Sequence, residues 1–175
     1  MSFSRARFLV ASSLGAGAAV LLDRFVARAE SAAPGDLDTL NAAIELERAG
    51  IKAYDDAAST KLLQPNVLAL AMIFKRDHEV HLAALSAAVK SGGGTVSGAT
   101  AHIAYPKLAS QADILAFAQT VEEKAASTYL SVISEFKDRD LAQVAASILG
   151  VETIHVGILA QALGSFPPYP GGFVK

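Results

Sequence analysis

The sequence contains no cysteine. This absence excludes disulfide bonds, thiolate metal sites, iron–sulfur clusters and cysteine nucleophiles, so stability must come from an apolar core or from a metal held by other side chains. Charged residues make up 18% of the chain and aromatic residues 7%, and there is no basic cluster with interleaved aromatic side chains. The composition therefore predicts no nucleic-acid partner.

Residues 1–29 have the organisation of an export signal. Arg5 and Arg7 form a short basic region, residues 8–22 are apolar or small, and residues 27–29 read Ala-Arg-Ala, an A-x-A cleavage site. The apolar run is about fifteen residues long, which is short for a membrane span. We therefore predict that the protein is exported to the periplasm or cell envelope, and that it is membrane-anchored if the signal is not cleaved.

Residues 4–9 resemble the twin-arginine export signal, in which an arginine pair is followed by Phe-Leu. Here Ala6 separates the two arginines, so the route stays open between the twin-arginine and the general secretory systems. The twin-arginine route suits a protein that folds around its cofactor before export. Residues 30–35 form a linker, residues 36–164 the predicted domain, and residues 165–175 a tail rich in proline and aromatic residues.

A Glu-x-x-His pair, Glu152 and His155, lies inside a long apolar segment with helical periodicity. Residues three apart lie on one face of a helix, so both side chains point the same way. Their stripe recurs at alternating steps of four and three residues, which is typical of a helix packed in a bundle. A buried acid is costly unless it is paired or bound to a metal, so this stripe predicts polar partners on other helices.

Three other segments repeat this stripe, and each carries two polar residues in it: Glu47 and Tyr54, then His78 and His81, then Glu122 and Tyr129. The third stripe extends from Ile114 to Phe136. The chain is thus a two-fold repeat of helix pairs, Glu-x6-Tyr followed by His-x-x-His or Glu-x-x-His. We predict that six polar residues converge on one core: Glu47, His78, His81, Glu122, Glu152 and His155.

Turn signals define the first two helices. The first is predicted to start near Asp36 or Asp38, with a carboxylate that caps its N-terminus, and to run to about Ser59. After a short turn, Pro65 or Asn66 opens the second helix. So short a turn makes these two helices antiparallel neighbours.

The second half of the domain is separated from the first by a long connection. Three glycines at 92–94 end the second helix; they lack the strand and helix context of a nucleotide-binding loop. Residues 95–109 have no helical period, and they are long enough to cross a bundle. Ser110 then opens the third helix, a tight turn at 137–139 follows, and the fourth helix ends at Gly164. Two short connections around one long one predict an all-α, ferritin-like antiparallel four-helix bundle with a crossover between helices 2 and 3.

Four residue pairs at repeating spacings lie on the four successive predicted helices: Glu47-x6-Tyr54, His78-x-x-His81, Glu122-x6-Tyr129 and Glu152-x-x-His155. The pattern resembles the ferritin-like di-iron carboxylate superfamily, and within it the exported ferritin-like domain family that includes desiccation-related proteins. The resemblance covers residues 36–163. It implies two iron or manganese ions, held by one Glu from each of two helices and a Glu-x-x-His from each of the other two.

By this resemblance, Glu47 and Glu122 are the terminal carboxylates, Glu152 is a bridging ligand, and His81 and His155 are the nitrogen ligands. Tyr54 matches a tyrosine that lies close to the metals in related proteins, so it is the candidate catalytic residue. A simpler interpretation of a buried tyrosine is a core residue whose hydroxyl is hydrogen-bonded.

One position departs from the family pattern. Where the family has a second bridging Glu, this sequence has His78, which normally ligates one metal through one nitrogen. The nearest acids, Asp77 and Glu79, lie to either side of the stripe unless a helix distortion brings Glu79 inward. The loss of a bridge and a negative charge leaves three outcomes open: one tightly held metal, a weakened pair, or no metal.

Two functional classes follow from these residues. The first is an exported metal-binding protein whose iron or manganese reacts with oxygen or peroxide, as a ferroxidase or a protein that protects against oxidative stress. The second is a non-catalytic structural or accessory protein of the cell envelope with a degenerate metal site. In either class the tail at 165–175 lies along the bundle or docks on a partner, and the bundle faces allow a homo-oligomer.

Overall fold

The computed structural model describes residues 32–168, so the predicted export signal and the end of the tail lie outside the described residues. Within that range the chain forms four helices and no strand. They are α1 (Pro34–Ser59), α2 (Pro65–Ser91), α3 (Gln111–Val132) and α4 (Arg139–Ala162). The prediction of an all-α protein is confirmed.

The helices pack as two pairs, α1 with α2 and α3 with α4, and α1 also contacts α3. The Asn41 side chain near the start of α1 donates a 3.0 Å hydrogen bond to the Thr95 carbonyl, which follows the end of α2, so α1 and α2 are antiparallel. The Gln64 backbone N–H donates to the Gln111 side chain at 2.8 Å, which places the starts of α2 and α3 at the same end. The segment at 92–110 therefore spans the bundle, as predicted for a ferritin-like fold.

Polar side chains of α1 hold this crossover in place. The Ser97 backbone N–H donates to Asn41 Oδ1 at 2.8 Å, and its hydroxyl donates to Glu45 Oε1 at 2.6 Å. Arg48 donates to the Ser97 carbonyl at 3.0 Å. These bonds satisfy backbone groups that have no helical partner, so the connection has a defined path without secondary structure.

The prediction that the carboxylate of Asp36 or Asp38 caps α1 was wrong. Its N-cap is Ala33, which makes no side-chain capping bond, and α1 begins at Pro34. Asp36 is instead fully buried and accepts hydrogen bonds from the backbone N–H groups of Lys137, at 2.7 Å, and Asp138, at 3.1 Å. This carboxylate therefore joins the start of α1 to the connection between α3 and α4.

The end of α3 also differs from the prediction. The apolar stripe suggested a helix that continued to Phe136, but α3 ends at Val132 and Phe136 enters the core from the connection. Two carboxylates give a physical reason: Asp36 holds the connection, and Asp138 caps α4 by accepting from Asp140 N–H at 2.7 Å. These hydrogen bonds hold the backbone of the connection in a non-helical path, so α3 ends before the apolar pattern does.

The apolar core has two main parts, one toward each end of the bundle. One contains Leu40, Ile44 and Leu141, and the other contains Phe74 and Leu159. Fully burying one such side chain stabilises the fold by roughly 1.5–3 kcal/mol. The six polar residues singled out from the sequence lie in the stretch of the bundle between these two parts.

Helix α4 and the residues after it form one side of the bundle. By length and composition α4 is apolar enough to cross a membrane, a property it shares with core helices of soluble proteins. Beyond α4 the chain returns onto this helix, because the Pro168 carbonyl lies 3.0 Å from where a Cβ of Gly157 would be. The start of the tail therefore lies along the bundle, and Phe166 is 95% exposed.

Candidate metal centre

Six polar side chains from all four helices meet in the interior. Their exposed fractions range from 0% for Glu122 and Glu152 to 8% for His81. They are the six residues that the helical stripes singled out: Glu47, His78, His81, Glu122, Glu152 and His155. Charged and imidazole groups are rarely so deeply buried without partners, so their partners decide what this cluster does.

Ligand-type atoms of these residues form two overlapping groups, and within each group the atoms lie within 4.8 Å of one another. The first group is Glu47, His78, His81 and Glu152; the second is His78, Glu122, Glu152 and His155. His78 and Glu152 belong to both. These two residues occupy equivalent positions in the two halves of the sequence repeat. Each half therefore contributes one residue that both ligand groups share.

The imidazole of His78 lies between the carboxylates of α1 and α3. Its Nδ1 is 2.7 Å from Glu47 Oε2, and its Nε2 is 3.4 Å from Glu122 Oε1. A Cβ at Gly50 would come within 3.0 Å of the ring, so glycine makes room for it. Gly50 was not identified from the sequence, although an isolated glycine inside a helix costs about 1 kcal/mol relative to alanine and often has a packing reason.

Two tyrosines hold the carboxylates of Glu47 and Glu122 across the bundle. The Tyr129 hydroxyl donates to Glu47 Oε1 at 2.5 Å, and the Tyr54 hydroxyl donates to Glu122 Oε1 in a short contact. Each tyrosine thus binds the glutamate of the other half of the repeat. The catalytic role of Tyr54 stays a prediction; in the structure its hydroxyl holds a candidate ligand.

Glu152 has two buried oxygens that form no hydrogen bond with the described residues. The nearest cationic group is His81, whose Nδ1 lies 3.1 Å from Glu152 Oε1 without hydrogen-bond alignment and also lacks a hydrogen bond. Buried polar atoms nearly always have a partner. Two such oxygens and an imidazole nitrogen that face one another have the donor chemistry for a divalent cation, so these residues fit a metal.

The histidines of the cluster are held in their charged form when no metal is bound. Burial lowers their pKa values, but contacts with carboxylates outweigh it: Glu152 and Glu47 raise the pKa of His81 to about 9, and Asp77 and Glu122 raise that of His155 to about 10. The pKa of His78 is raised well above its ordinary value for the same reason. A metal must therefore displace protons from these rings.

The glutamates are not equivalent. Burial raises carboxyl pKa values, but hydrogen bonds from His78 and a second imidazole outweigh it, so the pKa values of Glu47 and Glu122 are lowered. The pKa of Glu152 is raised, because burial and the neighbouring Glu122 outweigh its contacts with the imidazoles. Glu152 is therefore the carboxylate of the cluster with the most to gain from a bound cation.

Asp77 and Phe74 contact the cluster in a way that the sequence did not reveal. Asp77 Oδ2 lies 3.3 Å from His155 Nε2, and the other nitrogen of that ring lies 3.3 Å from Glu122 Oε2. The Phe74 ring stacks on the imidazole of His155 at a centroid distance of 3.8 Å. A carboxylate on the outer nitrogen of a histidine fixes its tautomer and orientation.

Glu79 takes no part in the cluster. It is exposed and lies 3.5 Å from Lys75 on the outside of α2, which is α-helical throughout. No helix distortion brings Glu79 inward, so its carboxylate does not reach the cluster.

Known proteins resemble this chain in sequence and in fold. The profile of the ferritin-like domain family matches residues 35–165. Among solved structures, the chain is similar to a conserved hypothetical protein from Mycobacterium tuberculosis, with 22% identity, a TM-score of 0.67, and coverage of 76% of this chain and 93% of that one. It is also similar to ferritin-like, diiron-carboxylate proteins from Bacillus anthracis, with 19% identity, a TM-score of 0.62, and coverage of 73% and 94%. No curated protein matches the chain. At these identities the two structures share its fold.

Proposed function

The chain belongs to the ferritin-like domain family, and we propose that it is a metalloprotein that binds iron or manganese at the six buried residues and reacts it with oxygen or peroxide. The observation that carries this proposal is Glu152, which belongs to both ligand groups and whose two buried carboxylate oxygens accept no hydrogen bond from the described part of the chain. The diiron-carboxylate description of the Bacillus anthracis proteins supports the same chemistry.

Each half of the repeat contributes the ligands of one metal position. Glu47 and His81 belong to the first group alone, and Glu122 and His155 belong to the second alone. His78 and Glu152, one from each half of the repeat, are shared by the two groups. Carboxylate and imidazole donors suit iron and manganese. Iron or manganese held by these residues would supply the electrons that reduce oxygen or peroxide. The protein's own part is to provide the ligands, to orient them and to exclude bulk water.

Residues around the ligands position them. Tyr129 and Tyr54 donate hydrogen bonds to Glu47 and Glu122, which fixes the two carboxylates before a metal arrives. Asp77 contacts the outer nitrogen of His155, so the inner nitrogen is directed toward Glu122. We expect ligands that are fixed in this way to bind a metal more tightly than the same ligands would with freely rotating side chains.

His78 limits how much metal is held. Its ring contacts both Glu47 and Glu122, so a cation that uses both carboxylates must compete with the imidazole. It also brings no negative charge, whereas a glutamate in its place would bring one. We propose that one metal position is held more tightly than the other, and that occupancy stays below two ions per chain.

Export is part of this proposal. The basic, apolar and A-x-A segments of residues 1–29 support a periplasmic or cell-envelope location, where the protein would protect against oxidative stress. N-terminal sequencing of the protein from its native cells tests this. A mature chain that begins near Glu30 would support export with cleavage, and a cytoplasmic protein that begins at Met1 would contradict export.

A non-catalytic envelope protein is the second candidate, and the placement of His78 favours it. Protonated imidazoles neutralise the buried carboxylates, as the raised pKa of His78 and the lowered pKa values of Glu47 and Glu122 indicate. Such a cluster can persist as a hydrogen-bonded core without a metal. The surface and the tail would then serve assembly with an envelope partner or with a second copy of the chain.

Iron oxidation tests the redox role. The chain is loaded anaerobically with ferrous iron and mixed with oxygen or hydrogen peroxide, and ferric iron is followed by absorbance. The proposal predicts faster oxidation than free iron shows in the same buffer, and loss of this acceleration in Glu152→Gln, which keeps the shape of the side chain and removes its charge. Equal rates for the wild-type protein and free iron would contradict a redox role.

A further inference from the structure

An apolar cavity lies beside the metal centre, at the end of the bundle where α1 connects to α2. The centre of a water-sized molecule has about 20 Å³ in which to move there. One water needs roughly 10–15 Å³ on this scale, so the cavity has room for one small molecule. Side chains from all four helices line it, among them Ala57, Val67, Ala71, Leu115, Ala118 and Leu159.

The cavity is separated from the candidate ligands by two aromatic side chains that line it. Tyr54 donates its hydroxyl hydrogen bond to Glu122, and Phe74 stacks on His155. A molecule in the cavity therefore contacts the far sides of two residues that touch the second ligand group.

The lining determines which molecules the cavity accepts. No charged side chain is among the residues that line it, and the hydroxyl of Tyr54, its polar side-chain group, is already bound to Glu122. A water molecule or hydrogen peroxide would lose hydrogen bonds on entering, because a buried water needs two to four polar partners. A neutral diatomic gas forms no strong hydrogen bonds in water and loses none.

We propose that this cavity binds dioxygen, and that dioxygen rather than hydrogen peroxide is the oxidant that approaches the centre from this end. The use of the gas rests on the proposed redox function, but its binding does not. The two can therefore fail separately, because the gas site does not require a metal and the metal site does not require the cavity.

Dioxygen is paramagnetic, so it shortens the relaxation times of nearby nuclei and can be located directly. Methyl relaxation is measured in the full chain, both metal-free and with diamagnetic zinc added, with and without oxygen pressure. We expect the largest enhancement at Val67, Leu115 and Leu159, which line the cavity. The reference methyls belong to Leu40 and Ile44, which are 1% and 0% exposed in the other part of the core. Equal enhancement at both sets of methyls would overturn the proposal.

Two variants and a matched control locate the effect. Ala118→Leu fills the cavity and should abolish the selective enhancement. Ala116→Leu makes the same change on the exposed side of α3 and should leave it intact. If Ala118→Leu does not fold, Leu115→Ala enlarges the cavity and should increase the enhancement at Val67. An enhancement that does not respond to either cavity variant would contradict binding at this place.

The choice of oxidant is tested with the iron-loaded chain. We expect Ala118→Leu to slow ferric formation by dioxygen relative to Ala116→Leu, and to leave the rate with hydrogen peroxide unchanged. A variant that slows both oxidants equally, or neither, would overturn the assignment of dioxygen to this route. An absence of iron oxidation in the wild-type protein together with selective methyl relaxation would contradict the redox function and keep the gas site.

Discussion

The Tyr129 hydroxyl lies 2.5 Å from Glu47 Oε1, and this hydrogen bond joins the end of α3 to the middle of α1. Tyr54 and Glu122 form the reciprocal bond between the same two helices. The two halves of the repeat are thus tied together by their tyrosines, and each half positions a candidate metal ligand of the other. A carboxylate held in this way is already oriented when a cation arrives.

Removal of either tyrosine hydroxyl should therefore weaken the fold. Tyr129→Phe leaves Glu47 without one of its partners, and a hydrogen bond to a charged group contributes about 1.5–3 kcal/mol. We expect a decrease of that size in the free energy of unfolding, measured by urea denaturation. Tyr54→Phe should behave similarly, since Glu122 loses the reciprocal bond. A fully stable Tyr129→Phe protein would show that the bond contributes little.

The second prediction concerns Gly50, whose missing side chain leaves room for the His78 ring. A Cβ at Gly50 would lie within 3.0 Å of the imidazole, so Gly50→Ala should destabilise the protein by about 1–3 kcal/mol despite the better helix propensity of alanine. The matched control is Gly150→Ala in α4, where nothing lies within 4 Å of the added methyl group. This control should be neutral or stabilising by up to about 1 kcal/mol.

A double variant isolates the contact. In a His78→Ala background the ring is absent, so Gly50→Ala should have the small effect of Gly150→Ala. An undiminished penalty in that background would place the cause elsewhere in the bundle.

The third prediction concerns the departure at His78 itself. His78→Glu supplies the carboxylate that ferritin-like metal sites use as a second bridge, and it removes the ring that contacts Glu47 and Glu122. We expect metal content to rise toward two ions per chain, measured by elemental analysis after reconstitution. His102→Glu, on the exposed crossover, is the matched control and should leave the content unchanged. Unchanged stoichiometry in His78→Glu would show that His78 does not limit occupancy.

Stability of the metal-free protein should depend on pH through its histidines. Contacts with carboxylates raise the pKa of His81 from 6.5 to about 9 and that of His155 from 6.5 to about 10. A raised folded-state pKa gives stability that is fully present below the unfolded value and is lost as pH rises through the folded value. We therefore expect the free energy of unfolding to fall as the pH is raised from about 7 to about 10.

Urea denaturation over that range checks this prediction. The metal-loaded protein should lose less stability, because the metal has already displaced the protons, and its apparent metal affinity should rise with pH. A metal-free protein that becomes more stable between these pH values would contradict the charged state of the imidazoles.

The candidate ligands and the bundle could be predicted from the sequence because helical periodicity shows which residues share a face. Glu152 and His155 share a face because they are three residues apart, and the same rule placed Glu47 and Glu122 on core stripes. Two short connections around a long one then predicted the four-helix bundle. These inferences needed only neighbours within one helix and the lengths of three connections.

The errors lie where residues far apart in the chain decide the outcome. Asp36 was expected to cap its own helix, but its partner Lys137 lies 101 residues away. The same bond contributes to the early end of α3, which no local pattern indicates. Asp77 lies off its stripe, and its contact with His155, 78 residues away, depends on how α2 faces α4. The crossed tyrosine bonds depend on the register between α1 and α3, which helical periodicity does not determine.

The central claim is that the six buried residues form a metal centre, and the metal content of the chain without its predicted export signal tests it most directly. Residues 30–175 are produced with iron and manganese available, stripped, reconstituted and analysed for bound metal, beside Glu152→Ala and the exposed control Glu123→Ala. The account predicts tightly bound iron or manganese in the wild-type protein and in Glu123→Ala, and none in Glu152→Ala. A Glu152→Ala protein that keeps the wild-type metal content, or a folded wild-type protein that takes up no metal, would contradict it.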